Sequence, residues 1–156
     1  MLRPKPTPKK LMDDRSAGLY APGQHQWYLI RHGPQVIACA QSFPRAIRIN
    51  QLLLNILGLA AVCTRPEYRR QGLAAAVVNA ALDRVRNGSL PFCLFQTSHK
   101  NRPFYERLGC CLVANPIINS LSADPTANPF WDEIAMRFPN TAAWPLGPVD
   151  LLGPGY

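Results

Sequence analysis

The stretch that most restricts what this chain can fold into runs from Gly58 to Ala74. Gly58 to Thr64 is an apolar run, short enough for a buried strand and too short for a helix of its own. Pro66 stops that strand, because proline has no N–H for a ladder and restricts the residue before it. Arg69-Arg70-Gln71-Gly72-Leu73-Ala74 then passes directly into a helical pattern. Strand, basic turn, glycine and helix together hold an anion. The first helical turn carries unpaired N–H groups and the positive end of the dipole. Gly72 lets a ligand approach the backbone without meeting a Cβ. Arg69 and Arg70 add charge-assisted donors suited to phosphate oxygens. Neither G-x-x-x-x-G-K-[ST] nor G-x-G-x-x-G is present, which excludes the better-known phosphate loops.

The flanking sequence supplies a frame for this turn. Gln26–Arg31 and Gln35–Ser42 read as strands joined by His32-Gly33-Pro34, a hairpin signal. Pro44 is expected to bend the chain before Ala46–Ile49 continues extended, and Asn50-Gln51 turns it into Leu52–Leu57. The result is a three-strand antiparallel meander feeding the basic turn. Gly72 to Asn87 predicts a helix, with Leu73, Val77, Ala80 and Ala81 along one side and Val78, Leu82 and Val85 beside them. Asn79, Asp83, Arg84 and Arg86 fall on its wet face. Pro91–Gln96 is a short buried strand, which a right-handed crossover places parallel to the opening strand. Pro103 suits the first turn of a short helix and Gly109 its exit. Cys110–Val113 begins another strand, Ala114–Glu133 is a long loop, and Ile134–Phe138 is expected as the last strand.

A chain of 156 residues fits one domain. Its net charge of +8 draws polyanions in general: nucleic acid, an anionic membrane or a phosphorylated cofactor. No aromatic-rich basic motif favours nucleic acid. No apolar stretch reaches the ~20 residues of a membrane span, and the first dozen residues have no apolar core of a signal peptide. The five cysteines, Cys39, Cys63, Cys93, Cys110 and Cys111, form no C-x-x-C. They read as small buried residues in a reducing, cytoplasmic setting. The three histidines, His25, His32 and His99, have no metal-ligand spacing, so no metal is expected.

The segment V-C-T-R-P-E-Y followed by R-x-x-G-x-A closely resembles the acetyl-CoA loop of the GCN5-related N-acetyltransferases (GNAT). Downstream, Pro103-Phe-Tyr-Glu-Arg-Leu-Gly109 resembles that family's F-Y-E-[KR]-L-G-F motif, at the expected distance. The resemblance covers about residues 26 to 138. It divides the chain into a basic, proline-containing arm over 1–25, an acyl-CoA-binding domain over 26–138, and a proline/glycine-rich tail over 139–156. The tail from Trp144 to Tyr156 is also similar to the end of nodulation-type N-acyltransferases.

The fold this implies is α/β (α+β): a mixed, mostly antiparallel twisted sheet with flanking helices and a central parallel strand pair that splays apart. The family's usual N-terminal strand and two helices, which line the acceptor site, are shortened or missing here. A large acceptor or a partner subunit, as in a homodimer, could then complete that wall. The resemblance gives Val62, Cys63 and Thr64 the backbone groups that meet the pantetheine arm. Arg69, Arg70, Gln71, Gly72, Leu73 and Ala74 would wrap the pyrophosphate. Tyr105 matches the tyrosine that protonates the departing thiolate. Two positions depart from the pattern: Ser98 stands where an asparagine is common, and Asn101 where a small alanine is usual. The activity implied is acetyl transfer from acetyl-CoA to a primary amine of a small molecule by direct attack in a ternary complex. Transfer of a longer acyl group and a non-catalytic acyl-CoA sensor are the competing readings. No general base is evident; Glu67, Asp132 and Glu133 are the nearby acids, and Cys63 has no histidine to activate it as a nucleophile.

Overall fold

A computed structural model describes residues 25–156, so the basic arm expected over 1–25 lies, His25 apart, outside the described residues. The described residues open with β1 (Gln26–His32), β2 (Gln35–Ile49) and β3 (Leu52–Thr64), the expected antiparallel meander. After a 3-10 turn at Pro66–Tyr68 comes helix α1 (Leu73–Arg86), then β4 (Cys93–Thr97). A second 3-10 turn at His99–Asn101 leads into the short helix α2 (Arg102–Arg107). β5 (Cys111–Leu112), β6 (Ile117–Ile118), β7 (Ile134–Phe138) and β8 (Val149–Asp150) follow. These strands make one sheet in the order β5-β7-β4-β3-β2-β8-β6, with β1 also paired to β2. The β3–β4 and β6–β8 pairs are parallel and the others antiparallel.

Pro44 does not bend the chain. β2 runs through it, with Pro44 opposite Leu57. The Leu57 N–H donates to the Phe92 carbonyl of the β4 side at 2.8 Å, so Leu57 and Pro44 both turn their peptide groups away from each other. The missing proline N–H therefore falls on the far edge of β2. Among the described residues that edge is unpaired here, between Ser42, opposite the first residue of β1, and Arg48, where β8 pairs. Proline costs the ladder nothing at such a site.

The two faces of the sheet are covered by different means. On one, Val77, Val78, Ala81, Leu82 and Val85 of α1 pack on Ala38, Ala40, Leu57, Leu59, Cys93, Phe95 and Met136. Ala80, expected on this stripe, is exposed, and Arg84, expected on the wet face, is half-buried. Arg84 reaches down to donate to the Ser42 hydroxyl at 3.2 Å, tying α1 to β2. On the other face, Phe43, Ile47, Ile49, Ile56 and Leu94 are covered by no helix among the described residues. Their cover is Ile117, Phe130, Val149, Leu151 and Tyr156. Each large apolar side chain sealed this way contributes roughly 1.5–3 kcal/mol.

Ile134–Phe138 is therefore not the last strand. β8 pairs with Arg48 and Ile49 at the tip of the meander and carries the tail back over the sheet. Arg48 binds the buried Asp150 at 2.8 Å, and Arg45 donates to the Leu151 carbonyl at 3.0 Å. Asn115 holds the carbonyls of Pro145 and Gly147 at 3.0 and 2.7 Å. A two-residue strand held by distant side chains has no periodicity for a sequence reading to detect.

Candidate active site

The site begins where β3 and β4 part. Their parallel pairing consists of Leu57 with Cys93 and Gly58 with Leu94, and goes no further. β3 nevertheless continues to Thr64 against β2, and β4 to Thr97 against β7. Leu59–Thr64 and Phe95–Thr97 thus present facing edges that do not bond to each other. Backbone groups on such an edge need partners, and an extended ligand with amide groups can supply them.

A bulge shapes the β3 edge. Between Cys39 and Gln41 on β2, which pair with Cys63 and Ala60, β3 carries one extra residue, and Ala61 sits at φ 53°. Leu57 and Leu59 face α1 before the bulge; Val62 faces it after, so the alternation has shifted by one. The Arg65 N–H donates to the Ile37 carbonyl at 2.9 Å. By alternation Cys63 also directs its peptide groups to β2, while Val62 and Thr64 direct theirs to the open edge. The Thr64 hydroxyl is buried without a hydrogen-bond partner. An orphan of this kind beside an open edge invites a ligand or a water.

The open edge runs into the basic turn. Tyr68 closes the 3-10 turn by an N–H to the Arg65 carbonyl at 2.9 Å, and its hydroxyl meets His32 Nδ1 at 2.7 Å. The Arg69 guanidinium turns back to the Thr64 carbonyl at 3.3 Å. Arg70 and Gly72 both take positive φ, 64° and 78°, which curls Arg70–Leu73 into a concave run of amides. Gly72 is the helix N-cap and offers no side-chain cap. The first intrahelical bond is from Ala76 N–H to the Gly72 carbonyl at 3.0 Å, so the earlier amides of α1 have no acceptor within the helix. Arg69, Arg70, Gln71 and Gly72 are exposed, and Leu73 and Ala74 half-buried. The structure brings these six residues together at one end of the open β3 edge, with donors unspent. Both features fit an acyl-CoA: an edge for the pantetheine amides and an uncapped helix start for the pyrophosphate.

Tyr105 approaches from α2 on the α1 side of the sheet. It is buried, and its ring lies 4.6 Å from that of Phe95 and 4.9 Å from that of Phe104. Burial, with Cys110, Cys93 and Asp132 as neighbours, pushes its phenol well above the ordinary tyrosine value. The group is thus held neutral, as a hydrogen-bond donor. Cys110 is pushed up to about 12 and Cys93 well above its usual value, mainly by burial, so neither supplies a thiolate. Cys63, the only fully exposed cysteine, is opposite Cys39 on β2, with no histidine paired to it there.

Of the three acids, Glu133 accepts the His99 N–H at 2.8 Å and so caps the turn before α2. Glu67 is exposed in the 3-10 turn. Asp132 is the one close enough to Tyr105 to act on its phenol. Its own N–H, and that of Trp131, donate to Gln96 Oε1 at 2.7 and 2.8 Å. Gln96 and His32 carry no sequence signal for these roles; each matters only through a partner distant in the chain. Among the described residues, no three His, Cys, Asp or Glu side chains converge as a metal site, and no helix is long and apolar enough to cross a membrane.

A splayed strand pair, an uncapped helix start after a basic turn, and a tyrosine behind the next strand are the features that the resemblance to the GNAT acetyltransferases implies. The family model for the acetyltransferase (GNAT) domain matches residues 4–113. The chain belongs to the GNAT acetyltransferase family, whose chemistry is acyl transfer. Solved structures share the fold. A GCN5-related N-acetyltransferase from Ralstonia eutropha JMP134 aligns at TM-score 0.59 and 16% identity, over 69% of this chain and 71% of that one. An acetyltransferase of the GNAT family from Staphylococcus aureus Mu50 aligns at TM-score 0.58 and 13% identity, over 85% and 79%. A GCN5-related N-acetyltransferase from Kribbella flavida gives TM-score 0.54 and 21% identity over 69% of this chain. The present chain spans only 27% of that longer protein.

Proposed function

We propose that the protein is an N-acetyltransferase that moves an acetyl group from acetyl-CoA to a primary amine of a small molecule, by direct attack in a ternary complex. The observation that carries this reading is the end of β3–β4 pairing at Gly58 and Leu94, with the freed β3 edge leading into the uncapped start of α1. The donor supplies an activated thioester. The chain's part is to bind, orient and manage charge. Val62 and Thr64 offer peptide groups to the pantetheine arm, and an N–H aimed at the thioester oxygen stabilises charge that develops there. Arg69, Arg70 and the amides of Gln71 to Ala74 hold the pyrophosphate. Tyr105 donates a hydrogen bond to the departing sulfur. Asp132 is the acid best placed to take up the amine's proton. With all five cysteines free, the protein suits a reducing compartment such as the cytoplasm.

Calorimetric titration with acetyl-CoA, desulfo-CoA and dephospho-CoA tests the binding half, and a thiol-release assay over an amine panel tests the transfer half. If no CoA species binds at low salt, the reading is wrong. Tight binding without turnover on any amine would instead identify a sensor.

A further inference from the structure

The apex of the cleft, where β3 and β4 separate, is lined differently on its two sides. On the α1 side stand Phe95 and Tyr105. On the opposite side stand Phe43, Tyr156 and Phe130. Phe43 pairs with Gly58, and its ring fills the space that a Cβ on Gly58 would need. The Tyr156 ring stands edge-on to Phe43 at 5.0 Å and to Phe130 at 5.2 Å, with the Arg45 guanidinium 4.9 Å from its centre.

The Tyr156 hydroxyl donates to the Leu94 carbonyl at 2.8 Å. Since the Phe92 carbonyl accepts from Leu57 of β3, the Leu94 carbonyl two residues on also points toward β3. It belongs to the last β3–β4 pair, Gly58 with Leu94. Tyr156 caps β4 there, where the splay begins. Gln96 fixes the same residue from above, its Nε2 donating to the Tyr156 oxygen at 2.5 Å while Oε1 holds the loop at Trp131 and Asp132. Gly155 lies so close to the Pro129 carbonyl that a Cβ there would collide. The tail is clamped at this point.

We infer that Tyr156, backed by Phe43 and Phe130, is the floor of the acyl chamber and determines which donors are accepted: short acyl thioesters fit and long-chain ones do not. This rests on the acyl-CoA reading above. With the pyrophosphate at Arg69–Ala74 and the arm along Thr64 to Leu59, the thioester reaches the apex. Tyr105 closes the α1 side there, so the acyl group turns toward Tyr156. An aromatic ring locked by a hydrogen bond and two ring contacts leaves no path for a long chain, and excluding a donor by shape is a means of specificity.

Calorimetry of the wild type, Tyr156→Phe and Tyr156→Ala with CoA, acetyl-CoA and octanoyl-CoA tests this. The wild type and Tyr156→Phe should bind acetyl-CoA about tenfold or more tightly than octanoyl-CoA, within the range by which a pocket discriminates chain length. Tyr156→Ala should raise octanoyl-CoA affinity about tenfold while changing that for CoA itself by less than about twofold. Equal binding of the two thioesters by the wild type, or an unchanged ratio in Tyr156→Ala, would overturn the inference while leaving the acyl-CoA reading intact. Loss of all CoA binding by the wild type would remove both. Should Tyr156→Ala fail to fold, as judged by near-ultraviolet circular dichroism, Phe130→Leu lowers the same floor from beneath, and the wild-type ratio still decides.

Discussion

His32 Nδ1 and the Tyr68 hydroxyl lie 2.7 Å apart, joining the end of β1 to the turn that launches the proposed anion-binding loop. The rings also meet edge-on at 5.7 Å. Tyr68→Phe keeps the ring contact and removes the hydrogen bond. A net loss of about 1 kcal/mol from one such bond would weaken CoA binding roughly fivefold if the bond holds the loop in its binding shape. Calorimetry reads this directly, and unchanged affinity would mean the loop keeps its course without the bond.

Gly72 separates two effects that a sequence motif merges. Its φ is 78°, yet no atom lies within 4 Å of where a Cβ would sit. Gly72→Ala should therefore cost about 1 kcal/mol of stability, from backbone strain alone. Gly72→Glu adds a carboxylate where the proposed function seats the pyrophosphate. It should abolish CoA binding with a similar fall in melting temperature, because an acidic group at a helix start does not unfold it. Retained CoA affinity in Gly72→Glu would place the phosphate site elsewhere.

Tyr105 is held protonated by burial, so its phenol does not titrate near neutral pH. Complete proton transfer to a thiolate of ordinary pKa ~8.5 is uphill from such a group, which limits its benefit. Tyr105→Phe should lower turnover by about a hundredfold, the lower end of what a positioned proton donor contributes, with acetyl-CoA affinity retained. The basic limb of the pH–rate profile should keep its midpoint in the variant. Undiminished turnover would reduce Tyr105 to a packing partner of Phe95.

Asp150 is buried, and burial alone would raise its pKa. Hydrogen bonds from Ser120, Leu152 and Arg48 outweigh that and lower it. A carboxyl whose folded pKa lies below its unfolded value of about 3.9 contributes stability above that pH. The contribution is lost as pH falls through the folded pKa. Asp150→Asn should lower stability at pH 7 by about 1–3 kcal/mol and flatten the loss of melting temperature below roughly pH 4. A variant with the wild-type acid profile would show that the tail is anchored by other contacts.

Thiol labelling should follow exposure. Cys63 is exposed, whereas burial raises Cys93 and takes Cys110 up to about 12. Mass spectrometry after brief iodoacetamide treatment should find Cys63 modified first, and Cys93 and Cys110 only after denaturation. Early modification of Cys93 would mean that the α1 face opens readily.

The parts of this molecule legible in its sequence are those built from neighbours. The meander, α1 and the strand after it follow from alternation, helical period and glycine or proline punctuation, and Arg69–Ala74 lies at the helix start as those cues imply. Pro44 misleads because its tolerance depends on which edge of β2 is left unpaired among the described residues, a fact of pairing with β1 and β8. Arg84 differs from expectation because Ser42, far away in the chain, draws it inward. The whole cover of the second face is invisible to periodicity. Val149 and Asp150 are too few to alternate, and Gly155 is informative only once Pro129 is seen beside it. The splay itself could be anticipated only through family resemblance, since the residues of β3 look like any buried strand.

The tail that seals the second face also bears on how the chain reaches its fold. The α1 face is assembled chiefly from the meander and the helix just after it, with β4 and β7 added. The second face depends on bonds such as Arg48 to Asp150 and Arg45 to Leu151, whose partners are 102 and 106 residues apart. Contacts of such separation form slowly, because a long loop must close before they contribute. The two halves of the core should therefore consolidate in order, helix side first. Until the tail docks, Leu94 lacks the Tyr156 hydroxyl and the proposed floor of the cleft is absent, so on this reading donor selectivity is the last property the protein acquires as it folds.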